Sequence, residues 1–219
     1  MKDMTRAVKR IAYSIESGES VMIFGDYDVD GTTSVALMTS YLKNHIEVVV
    51  PYIPDRYKEG YGVSKAGIQK AQAEGITLII ALDCGIKAHE QIEYANTLGI
   101  DFIICDHHLP NSLLPKAVAV LDPKRADCEY PYKELCGCGI GFKLIQAIEQ
   151  KKGKELDSII EFLDLVTIAI CADMVPMTGE NRVLASLGLK LINKGIVNLD
   201  NLKERTGTYT TVSYTHLTL

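Results

Sequence analysis

Along the first 121 residues the chain alternates two hydrophobic patterns. Short continuous apolar runs occupy residues 21–24, 46–50, 77–82, 101–105 and 118–121. Each is too short for a helix and almost wholly apolar, with Glu47, Thr77 and Asp101 as the exceptions, the pattern of a strand covered on both faces. Between the runs, apolar residues recur at helical spacing and predict helices over 5–16, 31–43, 64–74 and 88–98. Gly18, Gly75 and Gly99 stand where three of these helices should stop. Thr32, Thr33 and Ser34 are candidate capping residues at the start of the second. Residues 51–62 hold two prolines, two glycines and three tyrosines and read as a loop.

This alternation with short connections predicts an α/β fold, a doubly wound, mostly parallel five-stranded sheet flanked by helices. The pattern changes after residue 136: helices are predicted over 139–152, 156–171 and 181–193, forming a C-terminal helical annex. The expected organisation is a sheet domain over 1–136, the annex over 137–205, and a threonine-rich stretch over 206–219 that reads as a truncated linker or a non-native tail.

Composition narrows this picture. With 219 residues and 47% hydrophobic content, the chain can bury a core and is not of a disordered class. No apolar stretch approaches the ~20 residues that span a bilayer, so no membrane partner is expected. The charged N-terminus lacks an apolar signal core, which predicts a cytoplasmic protein. Cys84 and Cys105 end predicted strands and Cys171 lies in an apolar helix, where free cysteine acts as a small hydrophobe. Cys136 and Cys138 are too close for the usual zinc spacing, so reduced cysteines are expected. The net charge of −5 argues against holding nucleic acid by bulk charge. That argument weakens if much of the acid lies in one site, where a pair of divalent cations would reverse the local field.

The acid is indeed gathered at strand ends. Asp26, Asp28 and Asp30 follow the first run, Asp83 the third, and Asp106, His107 and His108 the fourth. The carboxyl edge of an open α/β sheet is where ligands bind. Carboxylates converging there repel one another unless cations hold them, which suggests a metal site. The alternation of Asp26, Asp28 and Asp30 puts all three on one side of an extended segment, and Gly31 lets the backbone turn into the helix. An acidic turn with a helix cap is the plainer reading of that segment. Asp83 is either a cap or a ligand. Of the two adjacent histidines, one can ligate metal while the other contacts substrate, with Asp106 holding a histidine tautomer behind them. A surface turn is the alternative. His45, His89 and His216 read as surface residues. Asp173 closes a very apolar helix, which is unfavourable for the helix dipole and suggests a compensating role such as ligation; capping of the next segment competes with it.

Residues 25–31 (GDYDVDG), 106–108 (DHH) and 172–182 (ADMVPMTGENR) resemble the successive motifs of the DHH phosphoesterase superfamily, in the family's order. They resemble most the RecJ-type single-strand-specific exonucleases, as do residues 56–64 (RYKEGYGVS) and 138–144 (CGIGFKL). The resemblance implies a metal-dependent phosphodiester hydrolase with two Mn²⁺ or Mg²⁺ ions, a 5′→3′ exonuclease of single-stranded DNA used in repair and recombination. It implies that Asp26 and Asp28 hold one ion, that Asp30, His107 and Asp173 hold the other, and that Asp83 bridges them. His108 would contact the scissile phosphate. Many family members carry a histidine where this chain has Phe24, which leaves the first ion one ligand fewer or shifts the burden to Asp26. A mixed carboxylate and imidazole set suits Mn²⁺ better than Ca²⁺.

Arg56, Lys58, Arg182 and the tyrosines at 52, 57 and 61 could line a groove for a single strand by phosphate contact and stacking, or be solvated loop residues. The glycines of 137–141, Gly139 among them, could let backbone approach a phosphate, or simply start a helix tightly. The resemblance also implies a DHH-associated domain and an OB-type domain downstream, which this chain does not match. Two other functions remain open: a DHH phosphoesterase of short oligoribonucleotides or nucleotide phosphates, and an inactive scaffold that keeps the fold for protein contacts.

Overall fold

The structure, a computed structural model, describes residues 1–194. The end of the expected annex, the 206–219 tail and His216 lie outside the described residues. Five strands, β1 (Val21–Gly25), β2 (Val49–Tyr52), β3 (Leu78–Leu82), β4 (Asp101–Cys105) and β5 (Ala119–Leu121), form one sheet in the order β2-β1-β3-β4-β5. Every neighbouring pair is parallel. The chain leaves β1 for β2 on one side and returns to β3 on the other. The switch of direction therefore falls between β1 and β3, where the strands' carboxyl ends open a crevice.

The helices are α1 (Met4–Ser17), α2 (Val29–Leu42), α3 (Lys65–Ala73), α4 (His89–Thr97), α5 (Gly137–Lys151), α6 (Leu163–Ala172) and α7 (Gly179–Asn193), with a 3₁₀ segment at Leu156–Phe162. They cover both faces of the sheet, which is why its strands are apolar without alternation. Val21, Ile23, Leu78, Ile80, Leu82 and Ile103 point into the core shared with α1, α2, α5 and α6. Met22, Phe24, Ile79, Ala81, Phe102 and Ile104 point to the opposite core with α3 and α4. Each such side chain contributes about 1.5–3 kcal/mol on burial. The helices after residue 136 share the first core with the sheet, and α5 and α6 both pack on α2. This is why α2 is buried around nearly its whole circumference.

Several boundaries differ from the sequence expectation. Helix α2 begins at Val29, not Gly31, with Asp28 as its cap. Thr32 and Thr33 are not caps; their hydroxyls donate to the carbonyls of Asp28 and Val29 one turn back, each at 2.7 Å. Strand β2 lies three residues later than expected at its start and continues through Pro51, which an edge strand tolerates. The single helix expected over 156–171 is two elements. Ile159 and Phe162 are both buried at a spacing of three, which suits the 3₁₀ repeat before α6 begins. Cys171 is exposed on α6 instead of packed inside, although the other five cysteines are buried and all are free. His45 is half-buried, its ring edge-on to Tyr41 at 5.0 Å.

Candidate metal centre

Three strand ends and two helix ends deliver the acidic residues to one crevice. Asp26 follows β1 and is buried. Asp28 is exposed and caps α2, its carboxylate accepting from the Gly31 N–H at 2.9 Å. Asp30 is buried in the first turn of α2 and accepts from the N–H groups of Gly137 at 2.6 Å and Cys138 at 2.8 Å, at the start of α5. The three do not share one side. Because the helix starts at Val29, rotation by about 100° per residue replaces strand alternation and carries Asp30 away from Asp26 and Asp28. Gly31 is required for a different reason than a turn: a Cβ there would overlap the Asp26 backbone.

Asp83 follows β3 at φ 60°, a left-handed conformation that costs a non-glycine residue about 1–3 kcal/mol and is concentrated at functional sites. Gly137 crowds it, since a Cβ on Gly137 would stand 2.6 Å from the Asp83 Cβ. His107 is buried, with Nε2 at 3.1 Å from Asp83 Oδ1, 3.6 Å from Asp173 Oδ2 and 3.8 Å from Asp30 Oδ2. Asp173 caps the end of α6. The ligand atoms fall into three groups, each within 4.8 Å: Asp26, Asp28 and Asp83; Asp30, His107 and Asp173; Asp83, His107 and His108. Asp83 lies between the first group and the histidines.

Asp106 stands outside these groups as a support. Its carboxylate accepts from the Ile86 N–H at 2.9 Å, the His107 N–H at 2.7 Å, the His108 N–H at 3.1 Å and the His108 ring at 2.8 Å. Burial works to raise its pKa, yet the bonds and charge of His108 hold it below the ordinary carboxylate value. The same bond raises the pKa of His108, whose half-exposed ring faces the crevice mouth.

The remaining acids are the reverse. Burial, with Asp28 adding repulsion, pushes Asp26 up to about 6. Burial raises Asp30 to about 7, Asp173 and Asp28 adding to it against the two α5 amides. Burial and then Asp30 and Asp28 drive Asp83 well above its usual value. His107 is held down to about 4 by burial and by His108. Asp26 Oδ1, Asp83 Oδ1 and both ring nitrogens of His107 are buried without a hydrogen bond. His107 Nε2 and Asp83 Oδ1 are close but not aligned for one. Unpaired oxygen and imidazole nitrogen donors, crowded and mutually repelling, form a set suited to a divalent cation such as Mn²⁺.

Of the other candidate residues, Arg56 lies over the Tyr27 ring at 5.2 Å, Tyr27 meets Tyr61 edge-on at 6.3 Å, and Tyr61 meets His108 edge-on at 6.0 Å. Of the groove residues expected from the sequence, Arg56 and Tyr61 fall on this line, and Tyr27, which was not among them, joins it; its place inside the acidic motif was the available signal. Tyr57 is exposed. Tyr52 is withdrawn from the groove, packed on Phe24 at 5.1 Å and donating to Glu59 at 2.6 Å. Phe24 itself is fully buried on the α3–α4 side and offers no ligand. Gly139 fits the plainer of its two readings, a tight helix start: it is buried in the first turn of α5 with its N–H on Cys136 Sγ at 3.3 Å, which leaves no free N–H there for a phosphate. Arg182 is exposed on the first turn of α7, and no contact among the described residues brings it to the acids. Sequence reasoning also passed over Asp122, a buried acid after β5 pushed up to about 6 mainly by burial, with Oδ2 unpaired. Its position, one residue past a strand as with Asp83, was a legible signal.

This architecture has relatives. The pattern of the DHH family, N-terminal domain, matches residues 20–170. The chain belongs to the DHH family. The single-stranded-DNA-specific exonuclease RecJ of Bacillus subtilis is 43% identical over 204 residues, 93% of this chain and 25% of that protein. RecJ of Escherichia coli is 34% identical over 89% of this chain and 36% of its own length. The chain therefore spans between a quarter and about a third of these curated relatives. A crystal structure of exonuclease RecJ bound to manganese superposes with a TM-score of 0.77 at 30% identity, covering 87% of this chain and 48% of that one. RecJ of Thermus thermophilus in complex with Mn²⁺ superposes at 0.74 with 27% identity, covering 88% and 27%. No helix among the described residues is long and apolar enough to cross a membrane.

Proposed function

We propose that this DHH chain is the metal-binding catalytic portion of a phosphodiester hydrolase, a RecJ-like 5′→3′ exonuclease of single-stranded DNA that serves repair and recombination in the cytoplasm. The observation that carries the reading is the set of buried, unpaired donors on Asp26, Asp83 and His107 in a crevice that also gathers Asp28, Asp30 and Asp173. The names of the relatives point to the same chemistry. Two ions are assigned, one to Asp26 and Asp28, one to Asp30, His107 and Asp173, with Asp83 shared. When bound, such ions acidify a water and stabilise the attacking and leaving oxygens of an in-line displacement.

The chain's own residues do the rest. The α5 amides fix the Asp30 carboxylate in orientation. Asp106 holds His108 through Nδ1 and, by that bond and its charge, raises the ring's pKa, which favours the cationic form that would neutralise charge building on the phosphoryl oxygens. The line Arg56, Tyr27, Tyr61 leads toward His108 and offers cationic and aromatic surface along which a single strand can lie. Residues 1–136 and the helices that follow act as one catalytic unit. The chain covers a quarter to about a third of the relatives' length; further domains of the DHH-associated and OB type would grip the strand, so this chain alone is expected to bind metal while degrading DNA weakly or not processively.

Anomalous diffraction from crystals soaked in Mn²⁺ tests the site. Two peaks flanking Asp83 support it, and a peak outside these acids overturns it. Comparing a single-stranded DNA oligomer with a dinucleotide then tests the substrate. A clear preference for the dinucleotide would move the assignment to an oligoribonucleotide-type phosphoesterase.

A further inference from the structure

A cavity of about 200 Å³ opens beside His108 at the carboxyl edge of the sheet. The loops after β2 and β3, the start of α4 and the segment after β4 form its walls. Its volume is several times the ~30 Å³ share of one water. It is smaller than the ~300 Å³ at which pockets for drug-sized ligands begin. There is room for one planar ring system and not for a run of nucleotides.

The lining is specific in character. Val63 and Ile86 are buried and apolar, Ala88 is small, and the Tyr61 ring forms an aromatic side. Gly62 and Gly85 contribute bare backbone to the lining. Asp106 also borders the cavity, but its carboxylate is already taken by Ile86 and by His108. Tyr61 OH and the His108 ring stand 3.3 Å apart at one end, and the polar side chains on the rest of the lining are Lys87 and the amide of Gln91. An amide offers one donor face and one acceptor face side by side. A nucleobase has the matching form: two apolar π-faces, and an edge on which donors and acceptors alternate.

We propose that this cavity takes the base of the nucleotide next to the phosphodiester at His108, with Tyr61 against its face and Gln91 at its edge. The proposal rests on the phosphodiester hydrolase reading. It adds that recognition beside the cut is made through a base and not only through sugar and phosphate. Tyr61 then serves both the stacking line on one side and the cavity on the other.

The test uses this chain, with amide and methyl NMR signals as the readout, and two probes: dAMP and 2-deoxyribose 5-phosphate, each with and without Mn²⁺. Expected is that dAMP shifts the signals of Ile86, Ala88 and Gln91 while the sugar phosphate leaves them in place. Ala88→Phe, which fills the cavity, should weaken dAMP about tenfold or more with Mn²⁺ affinity unchanged. Should that variant not fold, Gln91→Ala, at a half-exposed position, should still weaken dAMP severalfold. Equal shifts from both probes, cavity signals unmoved by dAMP, or full dAMP affinity in the folded variants would each overturn the proposal. A parent chain that fails to bind Mn²⁺ would sink the metal reading instead, and the dAMP shifts without Mn²⁺ would still decide the cavity.

Discussion

Asp83 and Asp106 occupy equivalent positions on adjacent parallel strands, one residue past β3 and β4, and both are buried. Electrostatically they are opposites. Asp106 is surrounded by donors and is held ionised. Asp83 faces other carboxylates, keeps an unpaired oxygen and is driven toward its protonated form. Burial alone therefore says little about an acid; what matters is whether the fold supplies its counter-charge. Around Asp106 it does. Around Asp83 it leaves the task to something from outside.

The largest effect that would sharpen this contrast is on metal binding. Asp83→Ala should abolish hydrolysis by this unit and reduce Mn²⁺ affinity, measured by calorimetry, more than Asp106→Ala does. Removal of a supporting partner such as Asp106 typically costs about 10–100-fold. Equal losses would break the comparison. A second contrast is in stability without metal. Asp106→Asn should lower stability by about 1–3 kcal/mol, because buried donors lose their acceptor. Asp83→Asn should raise it, because a repelled buried charge is removed. Denaturant titration in EDTA reads both signs, and a loss in both variants would refute the distinction.

A subtler consequence appears against pH. Asp26 and Asp30 have folded values near 6 and 7, above the usual carboxylate range, so the metal-free folded chain binds more protons than the unfolded one between about pH 4 and 7. Stability without metal should fall as pH rises through that window. His107, held to about 4, works the other way between about pH 4 and 6.5 and only partly offsets it. Saturating Mn²⁺ should flatten or reverse the slope. An EDTA-treated chain whose melting temperature climbs from pH 5 to 7 would contradict the account. The most local effect is from Gly137→Ala, which presses on the Asp83 Cβ from 2.6 Å away and should cost about 1–3 kcal/mol, as much as Asp106→Asn. A neutral result would mean that Asp83 has freedom to move.

The fold was legible because two-sided burial writes itself into continuous apolar runs, and four of five strands begin within a residue of expectation. Strand β2 was misread because Pro51 looks like a terminator unless the strand is known to lie at an edge, which sequence order does not reveal. The acids were legible because strand ends mark the ligand edge. The division of Asp26 and Asp28 from Asp30 is now visible as geometry, whereas period-two reasoning alone would have grouped all three. The helix start at Val29 overrode it. Asp30's hold on Gly137 and Cys138 joins residues more than a hundred positions apart, and no local pattern predicts such a pair. Gly139 drew attention through the same glycine cluster, but Gly137 is the member that needs to lack a side chain.

That long-range tie has a consequence for the order in which the molecule is made. A chain emerging from the ribosome presents Asp26 through His108 well before α5 and Asp173 appear. Until the amides of Gly137 and Cys138 arrive, the Asp30 carboxylate lacks its anchor, and until α6 ends the proposed site at Asp30 and His107 lacks Asp173. The centre thus closes late in synthesis, and a nascent chain stopped after β5 should capture metal poorly while its sheet is already in place.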